Sequence, residues 1–215
     1  MSISPATGPI LATTSPDSIK KAASIILEGG LVVCPTESFY GIAADARNIN
    51  ALERIFDIKQ RATKQPVLIL IPSIKSIPQY AKTIPPVAQR LMDAFWPGGL
   101  TLLFKAKPDL PSLLTGTSGK IGMRLSKNPV ATQLAMAAGS PITGTSANIS
   151  GQPACQEAKE VLEVLGNKVD MILDYGKTPG KTGSTILDIT TKSPKILREG
   201  LITEKEVMRI LKASM

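Results

Sequence analysis

The 215-residue chain contains no histidine. That absence excludes Ser-His-Asp and Cys-His catalytic arrangements, H-E-x-x-H metalloprotease sites and every His-ligated metal centre. Chemistry here has to rest on Lys, Arg, Asp, Glu, hydroxyls and backbone dipoles, or on a metal carried by substrate phosphates. Such a set favours positioning and charge stabilisation over a dedicated proton shuttle. Cysteine is nearly absent too. Cys34 and Cys155 are isolated thiols without C-x-x-C spacing, so neither a zinc site nor a disulfide framework is indicated. Aromatics supply 4% of residues, which leaves an aliphatic core. No apolar run approaches the roughly 20 residues of a membrane span. The opening MSISPATGPILATTSPD lacks the basic start and apolar stretch of a signal peptide. A cytoplasmic protein without membrane association is the expectation. Basic runs, RGG tracts and stacked aromatic series are missing as well, which disfavours a dedicated RNA-reading module.

What is present is the composition of a globular protein, 43% hydrophobic and 20% charged. The length suits one large domain or two small ones. Lys plus Arg number 25 against 17 for Asp plus Glu, a net charge of +8. That excess fits either a solvated lysine-rich surface or attraction to nucleotides or RNA.

Helix and strand signals alternate along the chain. Pro, Ser and Thr mark residues 1–14 as a flexible arm, with one domain expected over 15–215. Ser15 and Pro16 open a helix that Gly29-Gly30 closes, and Leu31–Cys34 follow as a strand. Asn50 and Glu53 have capping-box spacing, which places Lys59 and Arg61 at the helix C-terminus. The run Val67–Ile71 reads as a continuous buried strand. A helix is predicted over 87–95, strands over 100–104 and 121–125, and a mobile Pro/Gly/Ser/Thr loop over 106–119. Helices over 128–139, 156–165 and from Thr203 onward, and strands at 141–143, 169–173, 184–189 and 195–198, complete the pattern. No internal repeat or linker divides it, and one three-layer α/β domain is the simplest account.

Two polar segments leave strand ends. Pro35-Thr36-Glu37-Ser38-Phe39-Tyr40-Gly41 runs out of the first strand, and Lys59-x-Arg61 follows some twenty residues later. Two fixed cations beside a strand-end loop can hold a polyanion such as a nucleoside triphosphate. The second segment is Gly144-Thr145-Ser146-Ala147-Asn148-Ile149-Ser150-Gly151. Its glycines permit close approach and its hydroxyls and amide offer short donors and acceptors, as an anion cradle requires. Alone, such a loop is more often an ordinary self-capping turn. Arg124 and Arg198 also lie near predicted strand ends, where ligands of open α/β sheets collect. Phe39, Tyr40 and Trp96 suit core or anchoring roles better than base stacking.

These residues resemble the YrdC-like threonylcarbamoyl-AMP synthase family, in its single-domain form, over roughly residues 17–200. PTESFYGIAADA, the K-x-R and S-x-N pairs, WPGGLT, TSANISG and GSTILDIT with ILREG carry the resemblance in the family's order. It implies a twisted mixed sheet flanked by helices. It implies a reaction in which L-threonine, bicarbonate and ATP give threonylcarbamoyl-AMP and pyrophosphate, with Mg²⁺ held mainly by the phosphates. The product would pass to the machinery that threonylcarbamoylates tRNA adenosine beside the anticodon. By the same resemblance Lys59, Arg61, Ser146 and Asn148 form the catalytic set. Arg61, Gln65, Lys120, Ser146, Ala154 and Arg198 would bind ATP, and Ser38, Arg124, Gly144 and Thr145 would bind threonine. No metal ligand is assigned to the protein. The chain departs from the family in having Ser38 where Thr is commoner, Ala62 where Pro is usual, and Leu70 where some members place a threonine-contacting His. The alternative is a nucleotide- or double-stranded-RNA-binding protein of this fold, associated with ribosomes or RNA and lacking synthase activity; tRNA or double-stranded RNA is a candidate partner in either case.

Overall fold

The computed structural model describes residues 8–62 and 65–212. The chain enters through strand β1 (Ile10–Thr13) and helix α1 (Pro16–Leu27), whose Ser15 cap accepts from Ser18 N. Burial of Ile19, Ala22, Ala23 and Ile26 on one face of α1 follows their helical spacing. The hairpin β2 (Val32–Pro35) and β3 (Tyr40–Ala43) leads to α2 (Ile49–Lys59). Next come β4 (Ile69–Leu70), α3 (Pro86–Phe95), β5 (Leu100–Lys105), the single turn α4 (Ser112–Thr115) and β6 (Lys120–Arg124). Helix α5 (Pro129–Ala137), the short strands β7 (Ile142–Thr143) and β8 (Thr145–Ser146), and α6 (Ala158–Leu165) follow. Strands β9 (Met171–Asp174), β10 (Thr185–Asp188) and β11 (Lys195–Arg198) and helix α7 (Glu204–Lys212) complete the order.

The α/β class is as expected, but the strands form two mixed sheets in the orders β1-β9-β2-β3-β8 and β11-β10-β5-β6-β4-β7. The first is apolar on both faces. Val32, Cys34, Met171 and Leu173 pack on α1 and α5, while Val33, Ile42 and Ile172 pack on α2 and α6. The second has one such face, where Leu100, Leu102, Phe104, Ile121, Met123 and Leu187 meet α3 and α7. Its other face carries Thr101, Leu103, Lys120, Gly122, Arg124 and Ile186, which line a cavity instead of a helix. Strand alternation thus gives this sheet one dry face and one ligand face.

The segment 142–146 joins the sheets, since β7 pairs with β4 and β8 pairs with β3. Between them sits Gly144, where an added Cβ would come within 2.6 Å of Leu68 Cδ1 and 2.9 Å of Leu70 Cγ. Thr143 ties the seam, its hydroxyl donating to Ile42 O at 2.9 Å and accepting from Ala44 N at 2.9 Å.

Four local expectations change. Residues 1–7 of the expected arm lie outside the described residues, but Ile10–Thr13 pair in parallel with β9. Asn48, not Asn50, caps α2 by accepting from Ala51 N at 3.0 Å. The apolar run 67–71 yields strand only at Ile69–Leu70, because its neighbours turn toward the cavity and α4. The loop 106–119 is anchored, with Leu110 and Leu114 buried in the core. Thr203 and Glu206 do cap α7 as read, and none of the described helices is long and apolar enough to cross a membrane.

Candidate active site

The cavity encloses about 590 Å³ between the ligand face of the second sheet and the β2–β3 and β8 segments of the first. Of the residues singled out from sequence, Ser38, Arg61, Gln65, Lys120, Arg124, Gly144, Thr145, Ser146, Ala154 and Arg198 line it. Lys59 and Asn148 do not; they lie beneath its wall.

Lys59 ends α2 and is 1% exposed. Its ammonium donates to Ser146 O at 2.5 Å, Asn148 O at 2.8 Å and Asn148 Oδ1 at 2.9 Å, so all three of its donors serve one loop. Burial, with the nearby Arg61 charge, brings its pKa down to about 8. Asn148 accepts also from Ser146 Oγ at 2.6 Å and donates Nδ2–H to Gln152 O at 2.6 Å. The two expected catalytic groups Lys59 and Asn148 therefore shape the cavity wall from behind and leave Ser146 to face the cavity. Direct phosphate contact by Lys59, as read from sequence, would require breaking this clamp.

Gln60 makes Lys59 and Arg61 diverge. It adopts φ 48°, the left-handed region, while Gln60 N donates to Asp57 O and Arg61 N to Phe56 O. This Schellman turn sends consecutive alternate side chains to different sides, with Lys59 into the loop and Arg61 into the cavity. Arg61 is steadied by Gln65 O and Pro66 O, each at 2.9 Å. Burial and then the Arg198 charge hold its pKa below the usual arginine range. Two cations facing one space without an acid between them can hold an anion.

Arg198 and Lys120 stand on the far wall. Arg198 donates to Ser184 O through Nε at 3.1 Å and Nη2 at 2.7 Å, and Lys120 pairs with Asp188 at 2.6 Å. Burial pushes the Asp188 carboxyl up, but hydrogen bonds from Lys120 and Thr190, with the Lys120 charge, together hold it below its usual range.

Arg124 is 4% exposed at the end of β6. Its Nη1 donates to Glu37 Oε1 at 3.1 Å, and its buried Nε has no partner. Ser38 sits nearby in the β2–β3 turn, where Thr36 Oγ1 lies 3.2 Å from Ser38 Oγ and accepts from Ser38 N. Leu70, in contrast, packs on Gly144 and the α1–α5 core and does not line the cavity; Leu68 does. Tyr40 and Trp96 are core anchors, with Tyr40 OH donating to Gly176 O and Trp96 Nε1 to Leu100 O. Phe39 lines the cavity.

Sequence reasoning missed Thr101 and Ser184, whose hydroxyls meet at 2.8 Å on the ligand face. The signal was a lone Thr inside the apolar strand Leu100–Phe104. Among the described residues no group of His, Cys, Asp or Glu is placed to hold a metal ion, and none of those lining the cavity is acidic.

This constellation has relatives. The Sua5/YciO/YrdC family model, described as "Telomere recombination", matches residues 24–200. The chain belongs to the Sua5/YciO/YrdC family. It is 37% identical over 193 residues to a threonylcarbamoyl-AMP synthase of Pyrococcus abyssi, covering 90% of this chain and 57% of that one. It is 35% identical to the Vibrio cholerae enzyme of that name, covering 86% of this chain and 98% of the relative. The chain thus spans less than three fifths of the P. abyssi relative and nearly all of the V. cholerae one. A crystal structure of P. abyssi Sua5 complexed with L-threonine superposes with TM-score 0.89 at 35% identity, over 95% of this chain and 60% of that one. Escherichia coli YciO superposes with TM-score 0.80 at 30% identity, over 89% and 94% respectively.

Proposed function

We propose that this Sua5/YciO/YrdC chain is a nucleotidyltransferase that makes threonylcarbamoyl-AMP and pyrophosphate from L-threonine, bicarbonate and ATP. One observation carries the reading. A single cavity holds an anion wall of Arg61, Arg198 and Lys120 together with an amino-acid end at Ser38 and Arg124. The names of the relatives and the threonine complex of P. abyssi Sua5 support it.

In this reading the Arg124 guanidinium takes the threonine carboxylate, and Ser38 holds the hydroxyl end. The threonine ammonium gives one proton to solvent, the resulting amine nitrogen bonds to the bicarbonate carbon, and the bicarbonate hydroxyl leaves as water with a second proton from that nitrogen. A carbamate oxygen then attacks the α-phosphorus of ATP, the bond to the bridging oxygen breaks, and pyrophosphate departs. Arg61 and Ser146 lie where charge develops on the transferring phosphate, while Arg198 and Lys120 hold the remaining phosphates. Holding three reactants in line supplies acceleration that this site does not draw from a histidine. Mg²⁺ would enter bound to the triphosphate, whose oxygens replace the acids that the cavity wall lacks. A cytoplasmic location, delivery of the adenylate for tRNA modification, and contact of the +8 chain with tRNA or double-stranded RNA belong to the same proposal.

Protein mixed with ATP, L-threonine and bicarbonate should release pyrophosphate and yield the adenylate by mass spectrometry, with both co-substrates required. No release at any Mg²⁺ concentration would overturn the reading. RNA affinity with a steep salt slope and no pyrophosphate would replace it with the RNA-binding alternative.

A further inference from the structure

Glu37 lies outside the cavity lining beside Arg124, with its side chain 13% exposed. Its two oxygens are engaged from different elements. Oε1 accepts from Arg124 Nη1 at 3.1 Å, and Oε2 accepts from Ser126 Oγ at 2.6 Å. Ser126 Oγ in turn accepts from Asn128 N at 3.2 Å, and Asn128 caps α5 by accepting from Val130 N at 2.9 Å. A continuous chain of hydrogen bonds therefore runs from the α5 N-terminus through Ser126 and Glu37 to the guanidinium. Glu37 rides on the β2–β3 turn of the first sheet, one residue before Ser38, whereas Arg124 belongs to the second sheet.

We propose that Glu37 is the positioning residue of the amino-acid subsite. It fixes the Arg124 guanidinium in the cavity wall so that it meets a ligand carboxylate, and it sets the spacing between Arg124 and Ser38. The inference rests on the synthase reading. A long arginine side chain in a cavity wall has several rotamers, and a buried carboxylate gripping one end selects one of them. Steering from Ser126 prevents Glu37 from following a displaced guanidinium. The second observation is that Glu37 engages only Nη1 of an arginine that lines the cavity, so the guanidinium keeps donors that a ligand carboxylate can use. The opposite role would be competition, in which Glu37 occupies the cation until substrate displaces it. That arrangement predicts tighter threonine binding when the carboxylate is removed, so the sign of the effect separates the two.

The test compares full-length wild type with Glu37→Ala and Glu37→Gln, the latter keeping an amide oxygen that can still accept from Arg124. With the hold lost, the threonine KM rises about tenfold in Glu37→Ala and about threefold in Glu37→Gln, while the ATP KM stays within about twofold. Calorimetry of L-threonine against 1-amino-2-propanol, the same molecule without its carboxylate, should show wild type preferring threonine and Glu37→Ala losing most of that preference. An unchanged or lower threonine KM in both variants, or an equal rise for ATP, overturns the proposal. A wild-type protein that releases no pyrophosphate sinks the synthase reading instead. The calorimetric preference and its loss in Glu37→Gln, checked for native circular dichroism, then decide the role of Glu37 alone.

Discussion

Two buried cations flank the cavity, and they are bound in opposite ways. Lys59 has all three donors satisfied by the 146–148 loop, whereas Arg124 makes one ion pair and keeps a buried Nε open. Both are desolvated, so both are costly unless paired. The difference assigns their work. A saturated cation is a clamp, and its removal breaks structure. In the proposed function an under-saturated cation in the cavity wall is a receptor, and its alteration should break ligand binding while the fold stands.

The largest effect should come from breaking the clamp. Lys59→Met leaves Asn148 O without a donor and strips the ammonium from Ser146 O and Asn148 Oδ1, which keep only Asn148 N and Ser146 Oγ, and we expect a loss of about 3 kcal/mol in urea unfolding. Pyrophosphate release should fall with it by at least about a hundredfold, because Ser146 loses its place. An intact unfolding midpoint would refute the clamp.

Altering the receptor should do the reverse. Arg124→Lys keeps the charge and the pairing with Glu37 but loses the planar fork. The threonine KM should rise about 30-fold, with a small change in thermal midpoint. If stability fell as far as in Lys59→Met, the contrast between the two cations would be lost.

A smaller effect tests the seam between the sheets. In Gly144→Ala the new methyl meets Leu68 and Leu70 at distances no Cβ normally has. Overpacking of this kind costs about 1–3 kcal/mol, read as a lower denaturation midpoint. An unchanged midpoint would show that Leu68 yields freely.

The smallest effect is a pH dependence. Lys59 titrates near 8 when folded, against 10.5 for the unperturbed side chain. Below 8 both states hold the proton. Between 8 and 10.5 the native state releases it first, so the unfolded state binds more protons and stability rises with pH. The stability of wild type relative to Lys59→Met should therefore grow by about 1 kcal/mol from pH 8 to 9. A flat difference would place the Lys59 pKa nearer its ordinary value.

Much of this site was legible in advance. Glycine-flanked hydroxyls after strands and cations at element ends are local signals, and they led to Arg61, Arg124, Ser146 and Arg198, all of which the fold brings to one cavity. Caps at Ser15, Asn128 and Thr203 were readable because each residue bonds within three positions of itself. The α2 cap was misread by two residues although Asn48 also bonds within three positions; two other misreadings have a tertiary cause. Whether the 67–71 run is strand or wall, and whether 106–119 moves, depends on what packs against it. Leu110 and Leu114 are anchored by partners that lie elsewhere in the chain.

By itself the sequence determined which side chains exist to do chemistry. The absence of histidine excluded histidine-based triads and metal sites, and local spacing set the helices, most of their caps and the order of polar loops. Tertiary structure decided the division into two sheets and which cation is free. Lys59 and Arg61 are alike in charge and two residues apart, and only the left-handed turn at Gln60 sends one into a loop and the other into the cavity. Charge is a property of composition; whether that charge is already spoken for depends on acceptors some 87 residues away along the chain.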